Sequence, residues 1–197
     1  MSTIDNDILK TIKERRSTHA FKEEEVDQAI LKEIFTYASY APTHYMKEPW
    51  QIKLYQEKGK DAFIAAIITS YQRIGMLKRD NDPKTVKMAD SMADFLLAIP
   101  HHALIYFTVE ETPIRYEEDY AAVCAFIQNA QLAAWEYGVG MLWTITPFMH
   151  DSGFYEAIGL DYDKMKIAAV MQIGYPKKLS RDKGRTPIEH KLEMIRE

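Results

Sequence analysis

The apolar positions of this chain alternate between helical and strand spacing. Ile4, Ile8, Leu9 and Ile12 recur at helical spacing and predict a first helix ending near Glu14. A second helix is expected from about Val26 to Tyr40, striped by Ile30, Leu31, Ile34, Phe35 and Ala38, with Pro42 at its exit. In "PWQIKLYQ", Trp50, Ile52 and Leu54 alternate with Gln51, Lys53 and Tyr55, the pattern of a strand with Pro49 at its first position.

From Lys58 to about Ile99 the spacing is helical again, in two pieces parted by the turn-rich "RDNDP". Pro100 stops the second piece. "HALIYFTVE" then reads as a strand buried on both faces, because Ala103 to Val109 is almost continuously apolar. The long segment "YEEDYAAVCAFIQNAQLAAWEYGVG" opens with acids that suit a helix N-terminus and is apolar nearly all round from Ala121 to Trp135. Such a helix belongs at the centre of the protein or of a dimer. Gly138 suits its C-terminal cap.

"MLWTIT" is the third expected strand, ended by Pro147. "DSGFYEAIGL" is a short helix with Asp151 or Ser152 as N-cap, and "MKIAAVMQIGY" is the fourth strand, ended by Pro176. The tail from about residue 177 is too sparse in apolar residues to form a core and is free to pack on another subunit. Strands separated by helices imply an α+β or α/β layer arrangement. The 197 residues fit one domain, with a helical excursion at about 58–99.

Composition narrows the function classes. A net charge of −4 argues against nucleic-acid binding, which favours a basic excess. The single cysteine, Cys124, lies in "AAVCAFI" and reads as a small buried hydrophobe, and one cysteine allows no intrachain disulfide. "MSTIDNDILK" has no apolar leader, and no run reaches the roughly 18–20 apolar residues of a membrane span. The expected protein is cytoplasmic, without membrane or nucleic-acid partners.

Several chemistries find no support. "GVGMLW" lacks the third glycine of a dinucleotide-binding turn and lies between a helix and a strand, in the wrong order. The histidines are scattered, so no metal site is expected. Adjacent His101 and His102 would point to opposite faces of a strand and suit a strand edge near the surface.

Three polar spots remain: Arg15, Arg16, Ser17 and His19; the loop "APTHYMKEPW"; and Lys183 to Arg185. Taken singly, each has an ordinary explanation. Cations at a helix end, for instance, gain about 0.3–1 kcal/mol from the dipole. Joined, Arg15, Ser17 and Arg185 would form a donor set for a phosphate monoester, if the tail returns to the first helix.

These segments also carry a resemblance. "ERRSTHAF" is similar to the Arg-Arg-Ser-x-Arg/Lys-x-Phe opening of the nitroreductase-like FMN-dependent oxidoreductases. "YAPTHYMKEPWQIKLY" resembles that family's Ala-Pro-Ser and Gln-Pro-Trp loop. "NAQLAAWEYGVGMLW", "IAAVMQIGYPKK" and "GRTPIEHKL" resemble its central helix, its last core strand and its terminal segment, in the family's order over nearly the whole chain.

The resemblance implies an α+β, three-layer fold: a central mixed sheet of four or five strands covered by helices, with the long buried helix at a homodimer interface. It implies FMN at that interface and NAD(P)H as electron donor. Arg15, Arg16, Ser17 and His19, with Lys183 and Arg185, would hold the phosphate side. Pro42, Thr43, His44, Tyr45 and Met46 would lie against the flavin, Pro42 and Thr43 coming from the partner subunit. Trp143, Thr144, Ile145 and Thr146 would sit by the ring.

No catalytic side chain is required, since the flavin N5 carries the hydride; two substrates sharing one place imply ping-pong kinetics. Tyr45, Tyr71 and Phe148 are candidates for the acceptor pocket, with core and loop packing as the other reading. The acceptor implied is of nitroaromatic or quinone type. The chain departs from the pattern at His19, Met46, Glu48 and Ile145. His19 would make one flavin contact pH-dependent. Met46 and Ile145 motivate the alternative of a flavin-binding protein without efficient turnover.

Overall fold

The computed structural model describes residues 7–78, 82–181 and 184–196. Among these residues six α-helices and four strands follow one another as α1 (Asp7–Glu14), α2 (Gln28–Ala38), β1 (Gln51–Tyr55), α3 (Gly59–Arg73), α4 (Pro83–Leu97), β2 (His101–Thr108), α5 (Pro113–Glu136), β3 (Gly140–Thr144), α6 (Ser152–Ala157) and β4 (Met165–Gly174). The sheet order is β1-β2-β4-β3. All three pairings are antiparallel. The expected mixed sheet is therefore corrected: parallel pairing is confined, among the described residues, to an isolated bridge between Ser17 and Met141.

Two apolar layers flank the sheet. On one face Ala103, Ile105, Met171 and Ile173 pack with Leu31 and Ile34 of α2 and with Val123, Phe126 and Ile127 of α5. On the other, Leu104, Tyr106 and Val170 pack with Phe63, Ile64 and Ile67 of α3 and with Phe154 and Tyr155 of α6. β2 and β4 lie between both layers, which is why their sequences read as unbroken apolar runs.

Local signals set several boundaries. Asp27 caps α2 by accepting from the Ala29 N–H at 2.6 Å. Asp151 caps α6 through Gly153 N–H. α5 starts three residues before the expected Tyr116, because Pro113 suits the first helical turn. Gly138, with φ +67°, follows its end.

Two expectations are overturned here. His101 and His102 are not at a surface edge; both are buried in β2, at 0% and 1% exposure. Hydrogen bonds absorb their polarity: Val26 N–H donates to His101 Nε2 at 2.9 Å, and His102 Nε2 lies 2.9 Å from the Leu96 carbonyl. The acids of "YEEDY" do not open α5, whose first turn carries none. Glu118 and Asp119 instead hold His44 and Lys47 of the loop before β1.

Candidate functional site

The segment after α1 is pinned to β3. Thr18 N–H donates to the Met141 carbonyl at 3.1 Å, beside the Ser17–Met141 bridge. Gly140 permits this approach: a Cβ there would stand 2.7 Å from Thr18 Cβ and 2.9 Å from its Cγ2. The chain after β4 then runs antiparallel to the same segment. Lys22 N–H donates to Tyr175 O at 2.8 Å and Lys177 N–H to Ala20 O at 2.9 Å. Ser180 Oγ closes the join on the Ser17 carbonyl, at 2.9 Å.

This fold-back makes a recess of about 260 Å³ lined by Arg15, Arg16, Ser17, His19, Ser180, Arg181 and Arg185. It joins two of the three polar spots singled out in the sequence. Lys183 lies outside the described residues.

Arg15 is the recess's most informative group. One of its terminal nitrogens donates to Gln131 Oε1 of α5 at 3.4 Å, while its Nε is buried with no partner among the described residues. Burial, then the Arg16 and Arg185 charges, depress its pKa from the ordinary guanidinium value. Clustered cations, with the Arg15 fork partly unused among the described residues, are complementary to a multiply charged anion such as a phosphate monoester. The residues present fit the phosphate end of FMN.

The loop before β1 does not line this recess. His44 to Met46 form a single 3-10 turn, and Tyr45, Met46 and Glu48 carry φ near +50°. For residues with a Cβ that is a costly backbone, held here by side chains. His44 Nδ1 is 2.8 Å from Glu118, Lys47 Nζ is 2.5 Å from Asp119 and also pairs with Glu110, and Glu48 N–H donates to Thr43 Oγ1 at 3.1 Å. The Arg115 guanidinium lies 5.8 Å from the Tyr45 ring centroid. Tyr45 and Met46 nevertheless remain 83% and 76% exposed, and Pro42 is exposed too.

β3 is an edge strand. Trp143 Nε1 is buried without a partner among the described residues, and Ile145 is exposed. Thr144 donates its hydroxyl to the Val170 carbonyl at 2.7 Å. Thr144 and Thr146 line a second cavity, between the sheet and α3 and α4, together with Tyr71 and Phe148. The Tyr71 and Phe148 rings meet edge to face at 5.6 Å. Tyr45 is not among that cavity's lining residues, so the three aromatic candidates do not share one pocket within the protomer.

Two residues that line the recess, Ser180 and Arg181, and two that shape it from outside, Gly140 and Gln131, escaped the sequence reading as site residues. Ser180 and Arg181 stand in the same polar tail as Arg185 but outside the motif. Gly140 was read only as part of "GVGMLW", a failed dinucleotide-binding turn, and not for its approach to Thr18. Gln131 carried the one usable signal, an amide inside an apolar helix that proves 6% exposed.

Comparison with known proteins agrees with this fold. Residues 12–175 match the family model described as "Nitroreductase family". The Bacillus subtilis (strain 168) protein "Putative NAD(P)H nitroreductase YfhC" is 34% identical over 182 residues, 92% of this chain and 90% of that protein. A crystal structure of a nitroreductase-like family protein from Bacillus cereus superposes with a TM-score of 0.86 at 35% identity, over 99% of this chain and 98% of the other. The FMN-dependent nitroreductase NfnB from Mycobacterium smegmatis, in complex with NADPH, shares the fold at a TM-score of 0.73 and 16% identity, over 96% of this chain and 99% of that one.

Proposed function

The chain belongs to the nitroreductase family, and we propose that it is an FMN-dependent NAD(P)H oxidoreductase passing two electrons to a small oxidised acceptor of nitroaromatic or quinone type. The observation that carries this reading is the recess of arginines, with Arg15 Nε buried and unmatched. In this reading Arg15, Arg16, Ser17, Arg181 and Arg185 grip the phosphate, with His19 beside them and Lys183 joining from the same tail.

When bound, FMN supplies hydride acceptance at its N5 and two-electron delivery to the acceptor. The chain's own part is to bind, orient and exclude water. The end of β3, Trp143 to Thr146, offers edge backbone to a planar ligand. The loop Pro42–Met46 presents exposed faces that α5 has already fixed in place. Tyr71 and Phe148 contribute an apolar wall. None of these steps needs a proton-transfer dyad, and one place serving two substrates in turn gives ping-pong kinetics.

A homodimer belongs to the same reading. Leu9, Ile12, Tyr37 and Tyr40 of the α1–α2 side are 52–80% exposed, and Leu192, Met194 and Ile195 of the tail are 51–82% exposed. Apolar surface of that extent is ordinarily covered by a partner. Light scattering should return about twice the chain's 22.9 kDa.

The exposed Ile145 side chain, on the very strand end that would face the ring, favours a second reading: a flavin-binding protein of this fold without efficient turnover. One experiment separates the two. The purified protein is loaded with FMN and mixed with NADH or NADPH without air. Bleaching of the yellow colour within seconds supports the enzyme, and a flavin that stays yellow favours the second reading. A protein that takes up no FMN overturns both.

A further inference from the structure

The Tyr45 ring is exposed, yet its neighbours are tied together. The His44 ring lies 4.2 Å from it, centroid to centroid, at a tilt of 34°. The Arg115 guanidinium stands over it at 5.8 Å. One carboxylate joins these two neighbours. Glu118 Oε1 is 2.8 Å from His44 Nδ1, and Glu118 Oε2 accepts from Arg115 Nη1 at 2.9 Å. A carboxylate only accepts, so His44 Nδ1 carries the proton in this contact.

Two features set this assembly apart from ordinary surface packing. Tyr45 has φ 50° and ψ 30°, a left-handed backbone. For a residue with a Cβ such a backbone costs about 1–3 kcal/mol and is a mark of ligand clamps and active sites. At 83% exposure the ring buries little against its own protomer in return. Arg115 stands in the first turn of α5, where the helix dipole disfavours a cation. Glu118 answers both: it neutralises Arg115 and anchors the residue before Tyr45. The adjacent acid, Asp119, grips the loop separately, through Lys47 at 2.5 Å, so the turn keeps an anchor when Glu118 is altered.

We propose that Glu118 is a positioning residue: through His44 and Arg115 it holds the Tyr45 ring in one pose, and that pose sets the apparent affinity for aromatic acceptors. The exposure of Tyr45 leaves ring surface for a planar acceptor to stack on. The acceptor half of the proposal rests on the oxidoreductase reading above, in which this loop lies against a flavin. The hold of Glu118 on the ring does not.

The test uses the full chain loaded with FMN, in Glu118→Ala and Glu118→Gln forms. Both variants remove the same charge, but Gln can still accept one of the two hydrogen bonds. In the unaltered protein the Tyr45 ring current displaces the ring-proton resonances of His44. They should move toward free-histidine positions in Glu118→Ala and part of the way in Glu118→Gln. With NAD(P)H as donor, the KM for nitrobenzene or 1,4-benzoquinone should rise about fivefold in Glu118→Ala and less in Glu118→Gln, with kcat within about twofold. Ferricyanide has no ring to stack, so its KM should be the same in the two variants. In a Tyr45→Ala background, Glu118→Ala should change the KM of the aromatic acceptor by no more than about twofold, because it acts through the ring. Full additivity of the two substitutions overturns the proposal. So do His44 resonances that stay in place in Glu118→Ala. A protein that binds FMN and reduces no acceptor removes the oxidoreductase reading and the acceptor half with it, while the His44 resonances still decide whether Glu118 holds the ring.

Discussion

Arg15 reaches Gln131 of α5 at 3.4 Å and holds its Nε buried without a partner. A neutral amide cannot balance a half-buried guanidinium that also faces Arg16 and Arg185. In the reading proposed above, an anion in the recess supplies the acceptor that Arg15 lacks among the described residues. Arg15→Ala should lower FMN affinity by about tenfold to a hundredfold, the span of a lost charged hydrogen bond of about 1.5–3 kcal/mol. Arg15→Lys should fall between, because an ammonium cannot fork. FMN fluorescence quenching measures both. Without FMN the Arg15→Ala protein should melt no lower than the parent, since repulsion is relieved; a drop of several degrees would instead make Arg15 a structural residue.

Gly140 and Thr18 supply a second test. A methyl group at 140 would fall within 3 Å of Thr18 and push the Arg16–Ser17–Thr18 segment off β3. Gly140→Ala should destabilise the protein by about 1–3 kcal/mol and weaken FMN binding in excess of that loss. Adding Thr18→Ser removes the Cγ2 clash and should recover part of the affinity. Urea unfolding and FMN titration on the same samples separate the two effects.

What was legible in the sequence was what local pattern encodes. The stretch from Met141 to Leu160 read as a strand ended by Pro147 and a capped short helix, and it folds so because Pro147 and Asp151 act on their immediate neighbours. The arginine segment was equally visible. Its completion by Ser180 and Arg181 was not, because it depends on backbone bonds such as Lys22 to Tyr175, between chain segments far apart in sequence. The two histidines were misplaced for a related reason. Side-chain polarity argues for an edge, and only the tertiary arrangement supplies Val26 N–H and Leu96 O to satisfy them in the interior. Glu118 and Asp119 were read against the helix dipole, whereas the cations of a loop more than seventy residues earlier claim them.

Those histidines make a spectroscopic prediction. Val26 N–H can only donate, so His101 Nε2 is bare and its Nδ1 carries the proton, with the Gln56 amide, 3.0 Å away, turned to offer its oxygen. His102 carries its proton on Nε2. Two adjacent residues therefore hold opposite neutral tautomers, which ¹⁵N ring shifts should show directly.

The same pair should set an acid limit on stability. Burial, then Lys60, lowers the His101 pKa to about 4, and His102 is lowered likewise. In the unfolded chain each takes a proton near pH 6.5. Their contribution is therefore whole above about pH 6.5 and is lost as pH falls toward 4, at up to about 1.4 kcal/mol per pH unit for each histidine. Urea midpoints at pH 7 and pH 5 should differ accordingly, and His101→Gln, which can still accept from Val26, should flatten the slope.

Asp151 ties the helical layer to the turn that carries Phe148. Its Oδ2 accepts from Ser70 Oγ at 2.6 Å and pairs with Arg73, both on α3, while Oδ1 caps α6 on Gly153 N–H at 3.3 Å. Burial opposes the charged carboxylate, but the Ser70 hydroxyl and the Arg73 charge outweigh it and hold the pKa below the ordinary value. Asp151→Ala leaves the fully buried Ser70 hydroxyl and Arg73 unmatched and removes a cap. It should cost about 2–4 kcal/mol. Asp151→Asn keeps the cap and the hydroxyl contact and should cost less. It should also abolish the stability that the carboxylate gives above the usual aspartate range and loses as pH falls through its lowered pKa. Because α3 bears Tyr71 and the clamped turn bears Phe148, loosening it should open their edge-to-face contact. The near-ultraviolet circular dichroism of the aromatic side chains should then weaken in Asp151→Ala even at temperatures where the protein is fully folded. An unchanged spectrum would mean that the two rings keep their contact without the clamp.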